Sequence, residues 1–156
     1  MEIIWATQDA KKGLESKLVD LKSKRGDIAE QIKVAREFGD LRENAEYAAA
    51  REAQNNLESE IIEIEAMIPT IKLFSYAKAD VSCVNLGTKI TVENKDTKEK
   101  AVYVITGILE SNIEKGYVSN QSPIGTSLLG KKVGDIVEFK IPAGKKKYKI
   151  TKIERP

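Results

Sequence analysis

Apolar residues in the first half of the chain recur with a period of 3.5. Leu14, Leu18, Leu21, Ile28, Ile32 and Ala35 follow a strict 4-3 alternation, with Arg25 at the one seam position that is not apolar. Read backward from Ile71, the positions Ile68, Ile64, Ile61, Leu57, Gln54, Ala50 and Tyr47 alternate in the same way. A 3.5-residue period sustained over this length predicts a coiled coil, in contrast to the wider apolar stripe of an ordinary surface helix. Between the seams lies Phe38-Gly39-Asp40-Leu41-Arg42, a turn short enough only for antiparallel neighbours. A register symmetric about that turn sets Ala35 against Tyr47, Ile28 against Gln54 and Leu21 against Ile61. A continuous first helix from Ala10 to Phe38 spans roughly 43 Å at 1.5 Å per residue. On periodicity alone, a dimerisation stalk is the plain reading of such a rod.

The pattern changes near residue 78, where β-branched alternation replaces the heptads. Lys89-Ile-Thr-Val-Glu93 alternates, Asn94-Lys-Asp-Thr-Lys98 breaks it, and Ala101-Val-Tyr-Val-Ile-Thr106 returns as a strand ended by Gly107. Ser122-Pro123 ahead of Ile-Gly-Thr-Ser-Leu-Leu-Gly130 reads as an N-cap, a proline at the first helical position, a short helix and a glycine stop. Asp135–Ile141 and Lys147–Ile153, joined through Pro142-Ala-Gly144, form a terminal hairpin. The fold class is therefore α+β: a long antiparallel coiled-coil hairpin over residues 1–77, then an antiparallel sheet domain with one short helix over 78–156.

Charge supports the same division. The total of +2 splits into −4 for residues 1–77 (11 Lys+Arg, 15 Asp+Glu) and +6 for 78–156 (15 against 9). The run Lys145-Lys-Lys147 with Lys149 and Lys152 reads either as a solvated strand edge that blocks aggregation or as a nucleic-acid patch. The chain contains no histidine, which removes histidine general bases, Ser-His-Asp triads and histidine metal sites. One cysteine, Cys83, makes neither an internal disulfide nor a thiolate cluster, which suits a reducing compartment. With neither a basic leader nor an apolar run of about 20 residues, neither a signal peptide nor a membrane span is expected, and the cytoplasm is the expected location.

Chemistry then rests on carboxylates, and these concentrate at the hairpin turn. Asp40, Glu43 and Glu46 recur every third residue, the first two at the apex. Oxygen donors of this kind suit Mg²⁺, which takes one or two protein carboxylates and fills its shell from water and phosphate. Two carboxylates hold the ion too weakly alone, so a metal role requires further ligands from a partner or a nucleic acid. Asp-x-x-Glu at a helix start is equally a capping box, with Asp40 as N-cap and Glu43 three residues on. The two readings are compatible.

The string Gly39-Asp-Leu-Arg-Glu-Asn-Ala-Glu-Tyr-Ala-Ala-Ala-Arg-Glu52 resembles the signature of the bacterial Gre transcript-cleavage factors of GreA type. The likeness extends to Leu14, Leu18, Leu21, Arg25 and Ile28 upstream. Downstream it takes in Gly87-Thr88, Ser122-Pro123-Ile124-Gly125, Leu129-Gly130-Lys131 and Gly134-Asp135. The resemblance implies an FKBP-like C-terminal domain that docks at the rim of the RNA polymerase secondary channel, here through Ser122, Pro123, Ile124 and Gly125. It implies a coiled coil that enters the channel and lends Asp40 and Glu43 to a Mg²⁺ shared with the polymerase. The polymerase then cleaves its own backtracked transcript, so this chain, a monomer that binds no cofactor alone, is not itself the enzyme. Asn44 and Tyr47 are expected to support the tip, and Arg36, Arg42 and Arg51 to contact the RNA 3′ segment or else to pair within the helices. DNA binding accompanies the family. A channel-occupying inhibitor of the same fold is the alternative, against which the retention of Asp40 and Glu43 speaks. Prolyl isomerisation, the third reading, lacks aromatics for a pocket: after residue 78 only Tyr103, Tyr117, Phe139 and Tyr148 are present. The chain departs from the family pattern in the apolar lead Met1–Trp5, at Asn120 and Gln121, and in Glu110-Ser-Asn112.

Overall fold

Three helices realise the 3.5-residue seams: α1 (Gln8–Ser23), α2 (Arg25–Glu37) and α3 (Ala45–Met67). The computed structural model describes residues 2–40, 44–142 and 144–156, so Arg42 and Glu43 lie outside the described residues. The chain divides into two compact units, Lys11–Thr70 and the combination of Met1–Ala10 with Ile71–Pro156.

In the helical unit the expected seam is the buried one. Leu21, Leu57, Ile61 and Ile64 form its core, with Leu14, Leu18, Ile28 and Ile68 packed around them. Toward the turn, Ile32, Ala35 and Ala50 are buried, and the two alanines allow the backbones of α2 and α3 to approach closely. Ion pairs flank the seam: Lys17–Glu60 at 3.1 Å, Lys22–Glu65 at 2.8 Å, and Arg25 to Glu58. Arg25 Nε and Nη2 donate to the two carboxylate oxygens of Glu58 at 2.8 and 2.9 Å. This bidentate bond holds the Glu58 carboxyl below its ordinary range. Being exposed, such pairs add little net stability, but they fix the register of one helix against the other.

The first helix is interrupted where an unbroken rod was expected. At Lys24 the backbone N–H bonds Leu21 O at 3.1 Å, three residues back, and Ser23 Oγ donates to Asp20 O at 2.6 Å. A serine hydroxyl competing for helix carbonyls, with Gly26 following in the next turn, weakens the i→i−4 ladder there. The second seam ends early as well. Pro69 has no N–H to continue α3, which closes in a 3₁₀ turn over Ile68–Thr70, and Ile71 passes into a strand.

The other unit is a sheet domain to which the N-terminal lead contributes. β1 (Ile4–Ala6) pairs in parallel with β2 (Ile71–Leu73), Ile4 opposite Ile71 and Ala6 opposite Leu73. Compactness therefore separates the chain at 10/11 and 70/71, in contrast to the single boundary at 77/78 drawn from composition. The main sheet contains β3 (Lys89–Asn94), β4 (Lys100–Thr106), β5 (Tyr117–Ser119), β6 (Ile136–Ile141) and β7 (Gly144–Glu154), in the order β5-β4-β3-β7-β6. The antiparallel expectation requires one correction: β5 lies parallel to β4, so the sheet is mixed. Two 3₁₀ turns, Ile108–Glu110 and Ile113–Lys115, make the crossover, and Gly116 at φ +81° closes it. Helix α4 (Pro123–Leu128) contributes Leu128 to a core with Ile90, Val92, Ile105, Phe139 and Ile150.

The lead is held by sterics and by hydrogen bonds. A Cβ on Gly107 would stand 1.6 Å from Trp5 O, so only glycine lets this backbone approach β1. Glu110 accepts from Thr7 N and from Tyr76 Oη, each at 2.8 Å, and Tyr76 Oη lies 3.0 Å from Thr106 Oγ1. Burial, aided by the Glu110 carboxylate, raises the Tyr76 phenol well above its ordinary value. Among the described residues, no helix is long and apolar enough to cross a membrane.

Candidate functional site

The turn between α2 and α3 is built on one carbonyl. Helix α2 ends at Glu37, and the N–H of Phe38 bonds Ala35 O at 3.2 Å. Gly39 follows at φ +120°, a conformation L side chains rarely adopt, and delivers the chain to Asp40. On the far side, Asn44 Nδ2 donates to the same Ala35 O at 2.6 Å, while its Oδ1 accepts from Tyr47 N at 3.0 Å. Asn44 is thus both the N-cap of α3 and a strut to the end of α2.

The capping box expected of Asp40 and Glu43 spans residues outside the described ones. The described start of α3 is Ala45, and its N-cap is Asn44, four residues after Asp40. Glu43, the other half of the expected box, lies outside the described residues, as does Arg42.

Asp40 borders a hollow with Phe38, Asn44, Ala45 and Glu46. Among the described residues its rim holds two carboxylates, Asp40 and Glu46, and Phe38 adds an aromatic ring that is 73% exposed. Tyr47 is half-buried, with the Arg36 guanidinium 5.8 Å from the centre of its ring, a cation–π distance. Arg51 is exposed, and its Nη1 donates to Gln54 Oε1 at 2.8 Å. Of the described arginines near the turn, Arg36 crosses to α3 and Arg51 stays on its own helix.

The donor set at the turn is hard oxygen and fits a Mg²⁺ ion, which takes one or two protein carboxylates and otherwise keeps water or phosphate. Among the described residues, no three His, Cys, Asp or Glu side chains are grouped to enclose a metal. Asp40 is the described donor, and Glu43 would be the second.

In the sheet unit, Ser122 Oγ accepts from Gly125 N at 3.0 Å and donates to Ser119 O at 2.6 Å, capping α4. A Cβ on Gly125 would lie 2.0 Å from Ser119 O, so the Ser-Pro-Ile-Gly run is fixed by close backbone packing. Pro123 and Ile124 line a small hollow with Ser127 and the β6 residues Glu138, Phe139 and Lys140.

Sequence reasoning passed over two features of the turn. One is the bond from Asn44 to Ala35, made between side chain and backbone and so without a residue pattern. The other is Phe38, whose signal was present: an aromatic residue off the seam, directly before the turn glycine.

Residues 4–73 match the family described as transcription elongation factor, N-terminal, and residues 78–155 match transcription elongation factor, GreA/GreB, C-term. The chain is 39% identical over 150 residues to the transcription elongation factor GreA of Clostridium kluyveri, covering 96% of this chain and 94% of that protein. It is 40% identical over 154 residues to the protein of the same name from Rhodospirillum rubrum, covering 98% of each. Among solved structures, the GreA factor homolog 1 (Gfh1) protein of Thermus thermophilus aligns at 20% identity over 99% of both chains, with a TM-score of 0.45.

Proposed function

The chain belongs to the GreA/GreB family of transcription elongation factors, and from that premise we propose that its hairpin turn enters the secondary channel of RNA polymerase and stimulates cleavage of backtracked transcripts. The observation that carries this reading is the position of Asp40 on a turn braced from both helices through Ala35 O. A carboxylate on a braced turn is held ready before binding, which reduces the ordering cost at the moment of contact.

Asp40 and Glu43 would hold one face of a Mg²⁺ whose other ligands come from polymerase carboxylates and RNA phosphate. When bound, the ion acts as a Lewis acid on the phosphoryl oxygen and lowers the pKa of a coordinated water. Asp40 contributes negative charge and an acceptor oxygen for the attacking water. Asn44 fixes the direction in which that carboxylate is presented, by tying α3 to the last turn of α2. Arg36 supports Tyr47 from across the hairpin, and Arg42 and Arg51 add positive charge for the RNA backbone. The catalytic machinery stays with the polymerase, so this chain is a lender of side chains. Ser122, Pro123, Ile124 and Gly125 form the docking element, a rigid capped turn suited to repeated engagement by a monomer in the cytoplasm.

Asp40→Asn is the direct test. It preserves side-chain size and one acceptor oxygen while removing the charge. Wild-type protein added to backtracked polymerase is expected to shorten the RNA, and the variant to leave it intact with polymerase binding retained. Slowed elongation with no shortened RNA from the wild-type protein would instead assign the chain to channel-occupying inhibitors.

A further inference from the structure

We infer that Phe38 is a stacking platform for the nucleobase at the 3′ end of the backtracked RNA. The assignment rests on the turn meeting that RNA end, as proposed above, and it names the part of the substrate that the hollow receives.

The chain has one Trp, five Tyr and three Phe. Eight of the nine are buried or half-buried, and Phe38 alone is exposed, at 73%. The exception stands two residues before Asp40, on the hollow that Asp40, Asn44, Ala45 and Glu46 complete. It lies off the seam, so hairpin packing does not require it. Its backbone is nevertheless fixed, because Phe38 N bonds Ala35 O and Asn44 braces the same carbonyl. A ring on a fixed backbone loses little entropy when another flat surface meets it.

The charge around the ring selects the occupant. Asp40 and Glu46 on the rim disfavour a phosphate that no metal ion neutralises, so the part of a nucleic acid that fits directly against the ring is the base. An aromatic face accepts any base by stacking, and a carboxylate oxygen accepts from exocyclic amino groups on base edges. Holding the terminal base against Phe38 would keep the neighbouring phosphodiester near Asp40.

The test compares the full-length wild-type protein with Phe38→Leu, Phe38→Tyr and Phe38→Ala on reconstituted backtracked polymerase. Matched transcripts end in a normal or an abasic nucleotide. Because the ring is exposed, all four proteins are expected to share one melting temperature. On the normal transcript, Phe38→Leu and Phe38→Ala should lower the cleavage rate at saturating protein about tenfold, the size of a lost base–aromatic stack. Phe38→Tyr should stay near wild type. On the abasic transcript, wild type and Phe38→Leu should coincide. Equal rates for wild type and Phe38→Leu on the normal transcript would overturn the inference. So would an undiminished deficit on the abasic one, or a rise only in the half-saturating protein concentration, since these mean that the ring packs on the polymerase. Photo-crosslinking from a 3′-terminal 4-thiouridine to residue 38 reads the contact without cleavage. Wild-type protein that crosslinks but does not cleave sinks the proposed function alone, and absence of the crosslink sinks the stacking platform.

Discussion

Asn44 Nδ2 and the carbonyl of Ala35, nine residues apart and on opposite sides of the hairpin turn, are 2.6 Å apart. The same side chain caps α3 through Tyr47 N, so one amide unites the end of one helix with the start of the next. Asn44→Asp keeps the capping oxygen but replaces the donor with an acceptor facing Ala35 O. Asn44→Ala removes both bonds, at a capping cost of about 1 kcal/mol. The Asp variant is expected to keep the helicity of the wild type, measured by circular dichroism, yet to lose transcript cleavage. Cleavage at the wild-type rate with Asn44→Asp would show that bracing of the turn is unimportant.

Glu110 receives Thr7 N and Tyr76 Oη, and Tyr76 reaches Thr106. Tyr76→Phe is expected to destabilise the sheet unit by about 1.5–3 kcal/mol, the range for a hydrogen bond to a charged group. Urea unfolding followed by Trp5 fluorescence measures it.

The phenol of Tyr76 also gives a pH signature. Its folded pKa is raised, by burial first, so its contribution is fully present below the unfolded value near 10. That contribution is lost as pH rises beyond 10, because the unfolded chain ionises first. Wild-type stability should therefore fall more steeply than that of Tyr76→Phe above pH 10. Parallel alkaline limbs for the two proteins would contradict this.

At the acid end, Glu58 is the group to follow. Its folded pKa is lowered by the bond from Arg25, so its contribution is present above the ordinary value of about 4.5. The contribution disappears as pH falls through the lower folded value. Arg25→Met should flatten this acid limb of hairpin stability, seen as a smaller change in melting temperature between pH 6 and pH 3. Because the pair is exposed, added salt should shrink the wild-type effect as well.

Gly107 carries the steric prediction. A Cβ would overlap Trp5 O, so Gly107→Ala must displace β1 or bend β4. A loss of about 2 kcal/mol or more is expected, in the upper range for overpacking. Gly13→Ala meets no atom within 4 Å and is expected to stabilise α1 by about 1 kcal/mol through helix propensity. Thermal melts of the two variants should move in opposite directions.

The sequence by itself determined what depends on local repetition. The seam through Leu21, Leu57, Ile61 and Ile64 is buried because a 3.5-residue period presents one apolar stripe whatever lies elsewhere. Strands β3, β4, β6 and β7, with the cap and proline of α4, follow from alternation and from residues whose backbone preferences are intrinsic. Asp40 was legible as a motif residue, while the cap of α3 is Asn44, four residues later, a residue of the same capping chemistry.

Only the tertiary structure decided the rest. The lead at Ile4–Ala6 becomes a strand because Ile71–Leu73 offers it backbone partners, and three residues carry too little pattern to announce that pairing. β5 runs parallel to β4 through a crossover held by Gly116, which alternation leaves unspecified. Glu110 serves Thr7, 103 residues away, and Asn44 serves a main-chain oxygen. Backbone groups are the same at every position, so a contact made with one leaves no mark in the order of side chains until the fold brings the two together.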